Sequence, residues 1–110
     1  MASSPSDDVL LEACQTLGRA IFRAGSSSIA KLPNGLWRAE FYAAAYNGAL
    51  EVAWSTGRTA AIHALYCRLW ARCDDRVEGT VDPARFSDIR EAMAATEGLF
   101  GLPEEPSKST

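Results

Sequence analysis

The stretch SIAKLPNGLWRAEFYAAAYNGALEVAWST, residues 28 to 56, decides the fold, because two Asn-Gly dipeptides separate its runs of apolar and aromatic residues. Asn-Gly readily adopts the positive φ angles of a two-residue type I′ turn. A hairpin centred on Asn47-Gly48 places Tyr46 opposite Ala49. In that register one face of the hairpin is apolar and the other is mixed. The pairs on the apolar face are Ala45 with Leu50, Ala43 with Val52 and Phe41 with Trp54.

The second Asn-Gly dipeptide, Asn34-Gly35, follows Pro33 and predicts a similar turn upstream. This turn places Leu32 opposite Trp37, and Ala30 opposite Ala39, on the same apolar face. Together the two turns predict a three-stranded antiparallel meander over residues 28–32, 36–45 and 49–56. The many alanines of this stretch and its few β-branched residues leave an all-helical alternative open.

Helical patterns flank the meander on both sides. The first helix is predicted over residues 5–24, with a cap at Ser4 and a left-handed stop at Gly25. The second is predicted over Thr59 to Cys73, and apolar residues cover most of its circumference. A polar connector, residues 74–79, leads to a final helix that starts at Asp82-Pro83 and ends at Gly98.

These patterns predict an α+β fold with an N-terminal helix, an antiparallel meander of two or three strands, and two helices packed on one face of the sheet. Residues 5–101 form a single compact domain in this interpretation. Residues 102–110 form a flexible C-terminal tail, because they are polar and include two prolines.

Composition limits the class of protein. The chain has 110 residues, 47% hydrophobic residues and 23% charged residues, which is typical of a globular domain. Its formal net charge of −3 disfavours non-specific binding to nucleic acids or anionic membranes. The three cysteines have no framework spacing, and the sequence has neither a secretory signal nor an apolar run of about 18 residues. We therefore expect a cytoplasmic protein with reduced thiols and no membrane contact.

Candidate catalytic chemistry is sparse. His63 is the single histidine, and a Cys/His or Ser/His mechanism would have to use it. Cys67 lies four residues further along the same predicted helix, but a structural zinc site needs four ligands. Ser26-Ser27-Ser28 lacks the glycines and the lysine of a phosphate-binding loop. We expect neither enzyme activity nor a cofactor.

The leading functional hypothesis is a small accessory, regulatory or inhibitor protein that acts by protein–protein interaction and forms a homodimer. Apolar surface in excess of what so small a domain can cover motivates it. The tryptophans Trp37 and Trp54 are expected to face the helices and belong to the core. Two candidate partner-binding groups remain, one on the second helix and one at the C-terminal end: His63, Tyr66 and Trp70, and Leu99, Phe100 and Leu102.

The alternative hypothesis is a nucleic-acid-binding module that uses the mixed face of the sheet. The order of helix, three-stranded meander and helix is similar to the topology of double-stranded RNA-binding domains. The segments 35–39 and 57–61 are loosely similar to the arm-binding domains of phage-type integrases. Both resemblances imply a basic binding face. The candidate contact residues are Lys31, Arg38, Tyr42 and Arg58, opposed by two acids within the same segment, Glu40 and Glu51.

Overall fold

The computed structural model describes residues 6–44, 48–79 and 83–101, with side chains described for 6–44, 48–74 and 87–97. It confirms the predicted α+β fold and excludes the all-helical alternative. The elements in chain order are α1 (Asp7–Phe22), β1 (Ser26–Lys31), β2 (Trp37–Ala43), β3 (Gly48–Ser55), α2 (Arg58–Gly79) and α3 (Pro83–Gly101). The three strands form one antiparallel sheet in the order β1-β2-β3.

Helix α1 is shorter at both ends than the sequence pattern predicts. Ser6 is the N-cap, and its side chain accepts a hydrogen bond from the backbone N–H of Val9. Two aspartates in the first turn favour this end electrostatically. At the other end Arg23 adopts the left-handed conformation, with φ at 72°, and its N–H donates to the carbonyl of Arg19 at 2.8 Å. The helix therefore stops two residues before the predicted Gly25.

The β1–β2 turn has a three-residue loop, so the predicted register is wrong by one residue. Gly35 N–H donates to Leu32 O at 2.9 Å, and Leu32 N–H donates to Leu36 O at 2.7 Å. This pattern is a type I turn with Pro33 at its second position, followed by a bulge residue, Gly35, whose φ is 92°. Proline fixes φ near −65° and therefore suits this turn. As a result Lys31 lies opposite Trp37, whereas Leu32 was expected there.

The β2–β3 register also differs from the prediction. Phe41 lies opposite Glu51 instead of Trp54, and Ala43 lies opposite Gly48 instead of Val52. Between the pairs of Phe41 and Tyr42 the register skips Leu50, so a β-bulge on β3 shifts it further. The predicted pairs of Ala45 and Tyr46 lie outside the described residues. An odd slip moves a side chain to the other face of the sheet, and Trp54 is consequently 53% exposed.

Helices α1 and α2 pack on one face of the sheet, and α3 packs on α1 and α2. Phe41 of β2 lies at the centre of the helix–sheet contact, where it is fully buried and its ring stacks on Phe22 at a centroid distance of 5.9 Å. The ring fits there because Gly18 of α1 presents no side chain towards it. The rest of the buried core comes mainly from the two helices, and includes Leu10, Cys14, Leu17, Ile62, Leu65 and Leu69.

The two C-terminal helices are longer than predicted. Helix α2 continues through residues 74–79, which were expected to form a connector, and α3 continues past Gly98 to Gly101. The predicted start at Asp82-Pro83 agrees with the observed start of α3 at Pro83, although Asp82 lies outside the described residues. The predicted tail, residues 102–110, also lies outside them.

Candidate functional site

The face of the sheet opposite the helices carries the candidate site. Alternation along the strands places Ala39, Phe41 and Ala53 against the helices, and all three are buried. The intervening residues point the other way, and no helix in the described part of the chain packs over them. We call this surface the open face; it comprises Ser26, Ser28, Ala30, Arg38, Glu40, Tyr42, Val52 and Trp54.

Two large aromatic side chains stand out on the open face. Trp54 is 53% exposed and Tyr42 is 43% exposed. Trp54 lies opposite Arg38, and Tyr42 follows Arg38 by four residues on β2. With a rise of about 3.3 Å per residue and about 4.8 Å between strands, the two aromatic residues lie roughly 14 Å apart. Val52 occupies the β3 position between them, so the three side chains form a diagonal apolar band.

The charges on the open face neutralise one another. Arg38 Nη2 and Glu40 Oε1 form an ion pair at 2.8 Å, and both side chains are partly exposed. The Nε atom of Arg38 is shielded from solvent and has no hydrogen-bond partner among the described residues. Because the pair is neutral overall, the centre of the open face has no net charge to attract a phosphate backbone.

Two candidate nucleic-acid contacts, Lys31 and Arg58, lie elsewhere. They flank the ring of Trp37 at the helix side of the sheet, with Lys31 Nζ and Arg58 Cζ each 5.8 Å from the ring centroid. The Asp7 carboxylate accepts hydrogen bonds from Arg58 and from the Thr59 hydroxyl, the latter at 2.6 Å. The structure therefore divides the predicted set, with Arg38 and Tyr42 on the open face and Lys31 and Arg58 around Trp37.

The predicted partner-binding group of α2 faces α3. Tyr66 is fully buried, and its hydroxyl donates to the backbone carbonyl of Thr96. Its ring meets Trp70 edge-on at 6.2 Å and lies 6.4 Å from the ring of His63. His63 and Trp70 are partly exposed, so they alone of this group reach the surface.

The side chains of the second predicted partner-binding group, Leu99, Phe100 and Leu102, lie outside the described residues. The backbone of Leu99 and Phe100 belongs to α3. All of Leu102 lies outside the described residues.

The cysteines occupy different environments. Cys14 is fully buried and its thiol lies 3.7 Å from the carbonyl oxygen of Ile62. Burial raises the pKa of the Cys14 thiol from 9.0 to about 12, with a smaller contribution from Cys67. Cys67 is partly exposed, with its sulfur 4.0 Å from His63 Nδ1. Among the described residues no three His, Cys, Asp or Glu side chains are grouped so that they could hold a metal ion.

Two further features concern the helices. A groove of about 410 Å³ separates α1 from α3, and its charged lining is balanced between Arg19 and Arg23 on one side and Asp88 and Glu91 on the other. Of the helices in the described ranges, none combines the length and apolar character needed to cross a bilayer.

Sequence reasoning missed the exposure of Trp54. It assigned this residue to the core because a two-residue turn at Asn47-Gly48 would align Trp54 with Phe41. One signal in the sequence was the pair Arg68 and Arg72, four residues apart on the second helix. In the structure Glu51 lies on the helix side of the sheet, where the guanidinium of Arg72 binds its carboxylate and Arg68 lies 3.9 Å away. A helix with two arginines spaced by four residues can meet an acid on the sheet in this way.

No family model matches the chain, and neither a curated protein nor a solved structure matches it.

Proposed function

We propose that this protein is a non-catalytic accessory, regulatory or inhibitor protein that binds another protein through its open face. The observation that carries the proposal is the exposure of Trp54 and Tyr42 on a sheet face that no helix of the described residues covers. Aromatic side chains are enriched in protein interfaces and supply much of their binding energy. In the proposed complex Trp54 and Tyr42 are the anchors, and Val52 fills the surface between them.

The charge distribution favours a protein partner over a nucleic acid. Arg38 is paired with Glu40, and Arg58 is paired with Asp7, so two of the three candidate cations are neutralised. The chain also has a net charge of −3. A partner surface with apolar side chains at its centre and polar groups at its rim fits the open face, because the ion pair can exchange hydrogen bonds with such a rim.

The expected contribution of Trp54 follows from its exposed area. A tryptophan side chain buries about 150–250 Å² when covered, so the exposed half represents roughly 100 Å². At about 25 cal/mol per Å², covering it contributes about 2.5 kcal/mol. This energy corresponds to a roughly 60-fold increase in Kd when the side chain is removed.

Affinity capture from the native source with a matched set of variants tests the proposal. Wild type is compared with Trp54→Ser and Tyr42→Ser, and the control is Val9→Ser. Val9 is 42% exposed on α1, so the control removes a similarly exposed apolar side chain away from the open face. Circular dichroism confirms that each variant is folded.

We expect a protein that wild type and Val9→Ser retain and that both open-face variants lose. The Kd of that protein, once purified, should rise roughly 60-fold with Trp54→Ser. Retention of the same proteins by all four baits would contradict the proposal.

A nucleic-acid-binding module is the second candidate. The exposed Trp54 and Tyr42, on the same face as Arg38, favour it, since bases stack on aromatic side chains in single-strand binding proteins. Fluorescence anisotropy with labelled single-stranded DNA and RNA at low salt distinguishes it. Binding that weakens steeply with salt and is lost in Trp54→Ser would support the nucleic-acid-binding module and contradict the protein partner.

The proposal includes a homodimer. A sheet of three strands has two edges, and an unpaired edge offers backbone N–H and C=O groups to another strand. Sedimentation velocity over a wide range of concentration measures the state of assembly, and a monomer at every concentration would contradict this part of the proposal.

A further inference from the structure

The two edges of the sheet differ in how they are protected. Strand β3 contains a bulge at Leu50, and its Glu51 side chain points inward to the helices. Arg72 also reaches the Leu50 carbonyl oxygen, at 3.4 Å. Bulges and inward-pointing charges are devices that prevent edge strands from pairing with other chains. The β3 edge is therefore a poor template for a further strand.

Strand β1 has none of these devices. Its sequence SSSIAK contains no proline, its only charge is at the last residue, and its register with β2 is continuous from Ser26 to Lys31. Its side chains on the open face, Ser26, Ser28 and Ala30, are small and exposed. On the open face, therefore, no bulky side chain of β1 obstructs the approach of a second strand.

The hydrogen bonds of the turn identify the backbone groups that are available at this edge. Leu32 N–H donates to Leu36 O, one residue before β2 begins. Bonded and non-bonded pairs alternate along an antiparallel ladder, so Ala30 and Ser28 also direct their N–H and C=O groups to β2. The backbone groups of Ser27, Ile29 and Lys31 then point away from the sheet, towards the position of a fourth strand.

Symmetry restricts how two copies can pair through these groups. Copies related by a two-fold axis perpendicular to the sheet keep their open faces on the same side, so each open-face residue must lie opposite another open-face residue. The register that pairs all three outward-pointing residues places the axis at Ile29. Ile29 then lies opposite Ile29 of the second copy, Ser27 opposite Lys31, and Ser28 opposite Ala30.

We infer that β1 is the dimer interface, and that two copies pair antiparallel about Ile29 to form one six-stranded sheet. The inference rests on the homodimer of the proposed function and assigns its interface. A second copy fits better than an unrelated peptide because the edge is complementary to itself. The partly buried Ile29 meets its own apolar side chain on the helix side, and Lys31 meets a serine, so no like charges face each other. The two open faces become continuous, which places two copies of Trp54 and Tyr42 on one surface.

Disulfide trapping tests the register. Ser28 and Ala30 of the second copy form a non-hydrogen-bonded pair, whose Cα separation of about 4.5 Å lies in the range of disulfides. The double variant Ser28→Cys/Ala30→Cys, made in a Cys67→Ser background because Cys67 is the partly exposed native thiol, should become a covalent dimer on mild oxidation. Ser28→Cys alone is the matched control and should stay non-covalent. Trapping of the single variant as efficiently as the double variant would place the axis at Ser28 and refute the register.

Charge variants test the interface in solution. Ser28→Lys/Ala30→Lys places four lysines at the seam and should shift the protein to monomer in sedimentation velocity. Ser28→Lys/Ala30→Glu has the same substituted positions but sets opposite charges across the seam, and should stay dimeric. Circular dichroism and the thermal midpoint verify folding of both variants.

The outcomes separate the interface from the homodimer itself. A wild-type monomer at every concentration overturns both. A wild-type dimer that is equally dimeric in the two charge variants, and that the double cysteine variant does not trap, overturns the β1 interface and leaves a homodimer that uses another surface.

Discussion

The close contact between Gly18 and the Phe41 ring predicts an unusual response to a helix-favouring substitution. Glycine in a helix interior costs about 1 kcal/mol relative to alanine, so Gly18→Ala would stabilise α1 in isolation. In the folded protein, however, a Cβ atom at this position would lie 2.5 Å from both Cδ1 and Cζ of Phe41. Carbon atoms normally approach to about 3.5–4.0 Å, so the ring or the helix must move.

The expected change in the free energy of unfolding follows from these two opposing effects, the gain in helix propensity and the cost of overpacking. Phe41 is fully buried and stacked on Phe22, so its ring has little room to move. Overpacking a well-packed core typically costs about 1–3 kcal/mol, and overlap with several ring atoms at once corresponds to the upper end. After subtraction of the helix gain of about 1 kcal/mol, we expect Gly18→Ala to lower the free energy of unfolding by about 2 kcal/mol.

Urea denaturation of four proteins measures the effect: wild type, Gly18→Ala, Phe41→Leu and the double variant. In the Phe41→Leu background the ring is absent, and the new methyl group should be neutral or stabilising. The loss of unfolding free energy caused by Gly18→Ala should therefore disappear or become a gain in the Phe41→Leu background, and a double-mutant cycle reports this difference as coupling. If Gly18→Ala is as stable as wild type, or destabilises both backgrounds equally, the proposed contact does not limit this position.

Further predictions concern the open face, the ion pairs and the core. Trp54→Ser should cost about 1–2 kcal/mol of unfolding free energy, because only half of the side chain is buried, whereas Phe41→Ala should cost about 3–5 kcal/mol; equal losses in urea denaturation would contradict this. Glu51→Gln should cost about 1 kcal/mol and make stability less sensitive to salt, because the variant lacks the carboxylate that binds the arginines of α2. Tyr66→Phe should cost about 1 kcal/mol through loss of one buried hydrogen bond, and an unchanged thermal midpoint would refute it. Because burial raises the pKa of Cys14 from 9.0 to about 12, the unfolded state loses this proton first, and the contribution of Cys14 to stability falls by roughly 1.4 kcal/mol per pH unit between about pH 9 and pH 12. Urea denaturation over this range should show a smaller loss of stability for Cys14→Ala than for wild type.

The element order could be predicted from the sequence because local signals agree with one another along most of the chain. Apolar residues recur at helical spacing in α1 and α2, and glycine-containing turns interrupt the middle third. The Pro83 start of α3 follows from the preference of proline for the first helical position. These signals depend only on residues close in sequence, so they predict the same elements for any tertiary packing.

Register could not be predicted in the same way. Both Asn-Gly dipeptides suggest a two-residue turn, but Pro33 and Gly35 adopt a type I turn with a bulge, and Ala43 pairs with Gly48 across a longer loop. Each difference changes which residues lie opposite one another. The β2–β3 difference moves Trp54 from the predicted core to the open face.

The candidate site followed from the register and was therefore only partly predictable. Arg38 and Tyr42 were assigned to the mixed face, and the structure places both on the open face. Tyr66 is predicted in a partner-binding group because it lies beside His63 and Trp70 at the edge of the core stripe, on a helix whose second apolar side is expected to need cover from another helix or a second subunit. That cover comes from α3 of the same chain, through a contact between residues 30 positions apart. Sequence periodicity carries no information about such a distant contact.

The bonds from Asp7 to Arg58 and Thr59 have a consequence for synthesis of the chain. Asp7 lies in the first turn of α1, and its partners follow it by 51 and 52 residues. At a translation rate of about 5–20 residues per second, roughly 3–10 s pass before Arg58 has been added. During that interval the apolar face of α1 has no α2 to pack on, so this face stays uncovered until the second half of the chain has been made.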